Sequence, residues 1–346
     1  MFKLPILVLL VAFLTWAYHA TQSPPPTICG SPDGPPVTAP RIKLRDGRHL
    51  AYVERGVSKE VANYKIITVH GISSCKDLIL PASQELIEEL GIYLLSYDRA
   101  GYGESDPYPN RSVESEVYDL QELADQLNLG DKFYVFGISM GGCTVWGCLK
   151  YIPHRIAGAT MAVPVVNYWW PSLPSDLLNK VSKSQLLRDR LAVNLAHNTP
   201  RLYSWITQRW LSSPERVQMD AEVFSPKDKE TLKKMIANKW VGKKNKALQQ
   251  GVFESLHRDL LVGFGNWGFN PLELKNPFPQ NESSVHIWQG YEDRLVPVLL
   301  QRHVSERLPW IKYHEIRNAG HLLPFTDNLF DEILKALFIG HEATAV

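Results

Sequence analysis

Gly137-Ile138-Ser139-Met140-Gly141 places a serine between two glycines, the G-x-S-x-G pattern of an activated hydroxyl nucleophile. Three fixed positions are weak evidence alone, and context strengthens them. The apolar run "FYVF" before the motif reads as a strand, and "GGCTVWGCLK" after it reads as a helix. A tight strand–turn–helix leaves no room for side chains at the glycines. It lifts the serine to a helix N-terminus, where backbone N–H groups favour developing negative charge. A serine hydroxyl also needs a base, and that base needs an acid to fix its tautomer. His321, in "RNAGHLLPF", follows a strand pattern and is the candidate base. Asp293, in "WQGYEDRLVP", ends another strand and is the candidate acid, with its neighbour Glu292 as an alternative.

Rivals are weaker. His286 and His314 lie within strand patterns and read as structural. His257 and His303 lie in helical stretches. Asp98, in "SYDRAGYGESD", ends a strand, but its turn-rich surroundings suggest that it holds its own loop. Asn167 occupies the place after a fourth strand where an acid is an alternative.

The tripeptide Gly-Ile-Ser also occurs at 71–73, in "HGISSCKD", again after an apolar run. This copy reads as a backbone donor rather than a second nucleophile. An oxyanion hole takes one N–H from the residue after the nucleophile, Met140, and a second from the loop after an earlier strand, Ile72. Such a donor contributes about 3–4 kcal/mol of barrier lowering. Gly71 lets that backbone approach substrate. A plain tight turn without a catalytic role is the competing reading.

The elements that must hold these groups alternate along the chain. "RIKLRDGRHLAYVERG" (41–56) reads as a hairpin turning at Asp46-Gly47. Apolar strands at 65–71, 92–98, 132–139, 155–164, 284–290 and 311–318 are interleaved with helical patterns at 81–90, 112–128, 140–151, 297–308 and 326–338. Short, wholly apolar strands alternating with helices predict a mostly parallel central sheet covered by helices on both faces. Residues 165–283 break the rhythm with helical patterns and Pro- and Trp-rich joints. They are expected to form a helical cap over the carboxyl ends of the strands, between two halves of one core, 41–164 and 284–346.

Taken together, "HGISS", "DRAGYGESD", "GISMGG", "GYEDRLVP" and "NAGHLLPF" resemble the α/β-hydrolase superfamily, especially its plant-type, membrane-anchored members. The resemblance covers about 41–164 and 284–340. It implies the α/β-hydrolase fold and a Ser139–Asp293–His321 triad with an acyl-enzyme on Ser139. Ile138 departs from relatives that carry His there, at a position that tunes packing. Serine rather than aspartate at 139 sets the chain apart from epoxide hydrolases and haloalkane dehalogenases. The implied activity is cleavage of a carboxylic ester, either a hydrophobic small molecule or a lipid. A slow-turnover ligand receptor on the same scaffold, and an acyltransferase or lyase using the same serine, remain alternatives. No cofactor or metal is implied.

Composition sets outer bounds. The 346 residues carry a net charge of +1, with no basic excess to suggest nucleic acid. Four cysteines, at 29, 75, 143 and 148, show no metal-like spacing and read as small buried thiols, with a Cys29–Cys75 pair left open. Six of the ten tryptophans fall in 165–283, and Trp169 and Trp170, next to the strand that enters the cap, are the candidate substrate contacts. A lysine-rich run from Lys227 to Lys246 reads as a solvated helix face, with an anionic lipid surface as the alternative. Asn110 and Asn281 open glycosylation sequons.

At the N-terminus, residues 4–20 are apolar and uncharged, with Lys3 before them. A signal-anchor and a cleaved signal peptide compete, and the anchor is favoured. That reading expects a transmembrane helix and a membrane-anchored protein of the endomembrane system, its catalytic domain lumenal or extracellular, or secreted after cleavage. Residues 21–40, with seven prolines, are expected to form an extended stalk.

Overall fold

The computed structural model describes residues 3–20, 22, 25–211, 223–241 and 244–340. Thr21, Ser23 and Pro24 of the expected stalk, Lys243 of the lysine run, and residues 341–346 of the expected core lie outside these.

Eight strands form one sheet: β1 (Arg41–Lys43), β2 (His49–Gly56), β3 (Tyr64–Val69), β4 (Ile92–Tyr97), β5 (Phe133–Ile138), β6 (Ile156–Ala162), β7 (Val285–Gly290) and β8 (Ile311–Ile316). Their order is β1-β2-β4-β3-β5-β6-β7-β8. β2 runs antiparallel to β1 and β4, and every other pairing is parallel. The interleaved helices account for this. A parallel pair needs a crossover, and each crossover places a helix on a face. The alternating pattern read from the sequence matches this sheet to within two residues at each end.

The strands are apolar because both of their faces are covered. In β3, Ile67 and Val69 point into one apolar cluster, and Ile66 points into the other. The first cluster takes Leu120 from helix Val113–Gln126, Trp146 from helix Gly141–Tyr151 and Leu300 from helix Val298–Arg307. The second takes Ile87 from helix Gln84–Leu90 and Phe330 and Leu334 from helix Leu329–Ile339. Burying a Leu, Ile or Phe side chain contributes about 1.5–3 kcal/mol. The two clusters therefore fix the strands whose carboxyl ends carry the candidate residues.

Between β6 and β7 the described residues form helices at Ser175–Ser184, Leu187–Asn198, Pro200–Trp210, Pro226–Ala237 and Arg258–Gly263, and no strand. In the lysine run, Lys227 pairs with Glu230 at 3.0 Å, Lys234 with Asp327 at 2.7 Å and Lys246 with Asp77 at 2.9 Å. All four cysteines are buried free thiols, so Cys29 and Cys75 are unpaired.

Two N-terminal expectations are corrected. The first is the transmembrane signal-anchor. The helix there, Lys3–Ala20, has 18 residues. At 1.5 Å per residue it spans about 27 Å, short of a hydrocarbon core of about 30 Å. Among the described residues no helix is long and apolar enough to cross a membrane. The expected membrane anchoring, and the localisation built on it, fall with that helix.

The second correction concerns the stalk, whose later part is docked on the domain. The Cys29 N–H donates to Gln250 Oε1 at 3.0 Å, and Thr38 and Ala39 N–H donate to Glu104 Oε2 at 2.7 and 2.9 Å. Prolines prevent a helix or strand of its own. The N–H groups of Cys29, Thr38 and Ala39 take acceptors from the folded domain instead, and those of Gly30, Ser31 and Gly34 bond carbonyls within the segment.

Candidate active site

Ser139 sits immediately after β5 with φ +53°, a left-handed conformation that non-glycine residues rarely adopt. Neighbouring backbone holds it there. Its N–H donates to the Ala162 carbonyl at 2.9 Å, and its carbonyl accepts from Gly142 and Val165 N–H at 3.0 and 3.1 Å. The flanking glycines are steric necessities. A Cβ on Gly137 would fall 2.6 Å from the Gly141 carbonyl oxygen, and one on Gly141 would fall 2.2 Å from that of Val69.

Two further loops meet this turn. His321 Nε2 lies 3.0 Å from Ser139 Oγ, and His321 Nδ1 lies 2.9 Å from Asp293 Oδ2. The Asp293 carboxylate is fully enclosed. It also accepts from Leu295 and Val296 N–H at 2.8 and 2.9 Å and from Gln289 Nε2 at 3.1 Å. A carboxylate filled by donors leaves Nδ1 to donate its proton and Nε2 to accept one from Ser139. Burial lowers the proton affinity of His321, but the charge and hydrogen bond of Asp293, with a contribution from Asp228, outweigh it and leave the pKa raised.

Asp293, rather than Glu292, contacts the imidazole, and Glu292 joins the same turn through its N–H to Ala319. The other candidates lie elsewhere. Asp98 takes Lys76 N–H, Lys76 Nζ and Glu104 N–H at 2.7–3.0 Å, which holds its own loop. His286 and His314 stack on each other, His257 joins Tyr203 and Leu211, and Asn167 bonds Gly265 and Trp169.

The first Gly-Ile-Ser copy lies against the second. A Cβ on Gly71 would come 3.2 Å from Ser139 Cβ. Among the described residues, neither Ile72 N–H nor Met140 N–H has a hydrogen-bond acceptor. The Gly71 carbonyl accepts from His70 Nδ1 at 2.8 Å and Arg99 Nη2 at 3.4 Å. Gly71 C=O and Ile72 N–H belong to one trans peptide and point in opposite directions. Holding the carbonyl toward Arg99 therefore turns the Ile72 N–H away from it. His70 Nε2 accepts from Arg99 N–H at 3.1 Å, which fixes the tautomer. Burial and the Arg99 charge push the His70 pKa down to about 3, so the ring stays neutral. Arg99 is itself gripped by both oxygens of Asp259, at 2.8 and 2.6 Å, from helix Arg258–Gly263.

Sequence reasoning missed His70, Arg99 and Asp259 as site-supporting groups. The first two stood in quoted motifs, whereas Asp259 carried no local signal.

Trp169 and Trp170 diverge. Trp170 is 3% exposed and packs edge-on against Trp146 and Trp267, within the apolar core. Trp169 is half-buried and stacks on His197 with ring centroids 4.0 Å apart. Tyr168, not singled out from sequence, lies within electrostatic reach of Asp293, and burial pushes its phenol up to about 12. Among the described residues no group of three or more His, Cys, Asp or Glu side chains could hold a metal ion.

Comparison with known proteins agrees with the sheet. The family described as alpha/beta hydrolase fold matches residues 65–328. A thiohydrolase of Aspergillus aculeatus is 24% identical over 119 residues, which is 32% of this chain and 35% of that one. 3-Oxoadipate enol-lactonase 1 of Acinetobacter baylyi is 32% identical over 76 residues, 22% of this chain and 28% of that one. The matches thus span about a third of the length of these curated relatives. Among solved structures, an alpha/beta hydrolase fold protein from Chitinophaga pinensis has a TM-score of 0.57 at 17% identity, covering 86% of this chain and 97% of that one. An esterase from Exiguobacterium antarcticum has a TM-score of 0.54 at 15% identity, covering 86% and 96%. With a family match across most of its length and this strand order, the chain belongs to the alpha/beta hydrolase fold family.

Proposed function

We propose that the protein is a serine hydrolase that cleaves a hydrophobic carboxylic ester through an acyl-enzyme on Ser139. The observation that carries this reading is the continuous path from Ser139 Oγ to His321 Nε2, 3.0 Å, and from His321 Nδ1 to Asp293, 2.9 Å. It starts at a serine held in a left-handed turn.

Ser139 Oγ attacks the ester carbonyl carbon and passes its proton to His321 Nε2. The carbonyl electron pair moves onto oxygen, where the N–H groups of Met140 and Ile72 receive it. Collapse expels the alcohol, which takes the proton from His321, and leaves an acyl group on Ser139. Water then gives its proton to His321 and attacks the acyl carbon. A second collapse releases the acid and returns the proton to Ser139. Asp293 holds the imidazole and stabilises its cation throughout. Residues 165–283 act as the cap, and Gly71, Trp169 and Tyr168 lie on the substrate side. Trp170 contributes through the packing beneath them.

Esters of graded acyl length, offered to the purified protein, test the reading. Hydrolysis that rises with chain length and stops after fluorophosphonate treatment is expected. No hydrolysis of any ester would contradict it.

A further inference from the structure

A second carboxylate, which the triad does not include, lies against the backbone on either side of His321. Helix Pro226–Ala237 begins with a capping box: Asp228 N–H donates to Ser225 Oγ at 3.1 Å, and Asp228 Oδ2 accepts from Ser225 N–H at 3.3 Å and Ser225 Oγ at 3.0 Å. In a capping box the third residue's side chain reaches back to the N-cap N–H, which leaves its second oxygen open to another donor. Here Asp228 is 1% exposed. Its Oδ1 accepts the Leu322 N–H at 2.7 Å, across 94 positions of sequence. On the other side of His321, a Cβ on Gly320 would lie 2.1 Å from Asp228 Oδ2 and 2.6 Å from Oδ1. The carboxylate therefore sits against the Gly320–Leu322 backbone, and position 320 is glycine because the carboxylate fills the space a side chain would need. Burying a carboxylate this deeply is costly unless donors fill it, and the Leu322 N–H is one of them.

We propose that Asp228 is a positioning residue for His321: delivered from the segment between β6 and β7, its carboxylate holds the Gly320–Leu322 loop and so fixes the imidazole against Ser139. The inference rests on the hydrolase reading for its catalytic consequence. The imidazole bonds Asp293 from the turn after β7 and Ser139 from the turn after β5, and the charge of Asp228 also reaches it. The two carboxylates divide the work. Asp293 bonds the ring directly. Asp228 bonds the backbone that carries the ring, and its charge adds to that of Asp293 in favouring the imidazolium formed when Ser139 gives up its proton.

The test compares Asp228→Asn, Asp228→Ala and Ser225→Ala in the full chain. Ser225→Ala removes the helix cap but keeps the bond from Leu322 to Asp228. The first readout is an NMR titration of His321 in histidine-labelled protein, assigned with His321→Gln. The second is the pH profile of kcat and KM with a short chromogenic ester. Asp228→Asn should lower the His321 pKa by about half a unit and move the acid limb of kcat/KM down with it. Asp228→Ala should lower kcat about 10–100-fold with KM nearly unchanged, as expected for a misplaced catalytic group. Ser225→Ala should leave the titration and the acid limb where they are.

Wild-type kcat together with an unmoved His321 titration in Asp228→Ala would overturn the proposal, as would Ser225→Ala reproducing the Asp228→Asn shift. If the wild type cleaves no ester, the hydrolase reading falls, and the titration still decides whether Asp228 acts on His321.

Discussion

The two Gly-Ile-Ser stretches share three residues, a preceding parallel strand and a left-handed serine, with φ +59° at Ser73 and +53° at Ser139. They differ in what surrounds them. Ser139 Oγ meets an imidazole backed by an enclosed carboxylate. Around Gly71 the held group is a carbonyl, gripped by a neutral histidine and an arginine. The histidines show the same divide: His70 is pushed down to about 3, whereas that of His321 is raised. Local sequence therefore sets the turn, and distant residues decide whether it presents a side chain or a backbone N–H.

The comparison can be broken from either side. Replacing His321 with Ala should lower kcat by about 10⁴-fold or more while the protein still folds, because the serine loses its base. Near-normal turnover would remove the second copy's claim to chemistry.

Gly71→Ala should lower kcat/KM about 10–100-fold, since the new methyl crowds Ser139 Cβ at 3.2 Å and displaces the loop. Steady-state kinetics with a matched thermal melt would separate this from unfolding. Arg99→Lys gives up the paired grip on Asp259 and the contact with the Gly71 carbonyl. A loss of about 10-fold in kcat, with KM little changed, is expected from a slackened oxyanion donor. A change confined to KM would count against the peptide-plane argument.

Acid should silence the second copy first. Catalysis needs neutral His321, and its raised pKa places the acid limb above the ordinary histidine value of about 6.5. Activity should thus rise with pH through that limb, and a kcat/KM profile flat down to pH 5 would exclude His321 as the base. The smallest effect belongs to Ser73→Ala, less than about 2-fold in kcat, because its hydroxyl has no assigned step.

Much of this was legible in the sequence. Short apolar strands gave the sheet because both faces are buried, and G-x-S-x-G marked the turn because its glycines abut backbone. His321 and Asp293 could be named because each follows a strand whose carboxyl end faces the same edge. The supporting groups were not legible. Asp259 meets Arg99 across 160 positions and Asp228 meets Leu322 across 94, and no spacing rule reaches that far. The N-terminus misled for the opposite reason. Apolar composition suggested a membrane span, but among the described residues no helix is long and apolar enough to be one. Proline content suggested an extended stalk, but Gln250 and Glu104 accept from its Cys29, Thr38 and Ala39 N–H groups.

The most direct test of the central claim is covalent labelling by a fluorophosphonate probe, read by mass spectrometry of the modified peptide. The account predicts one phosphonylated residue, Ser139, with labelling lost in Ser139→Ala and kept in Ser73→Ala. Normal labelling of Ser139→Ala, or a modified Ser73, would contradict it.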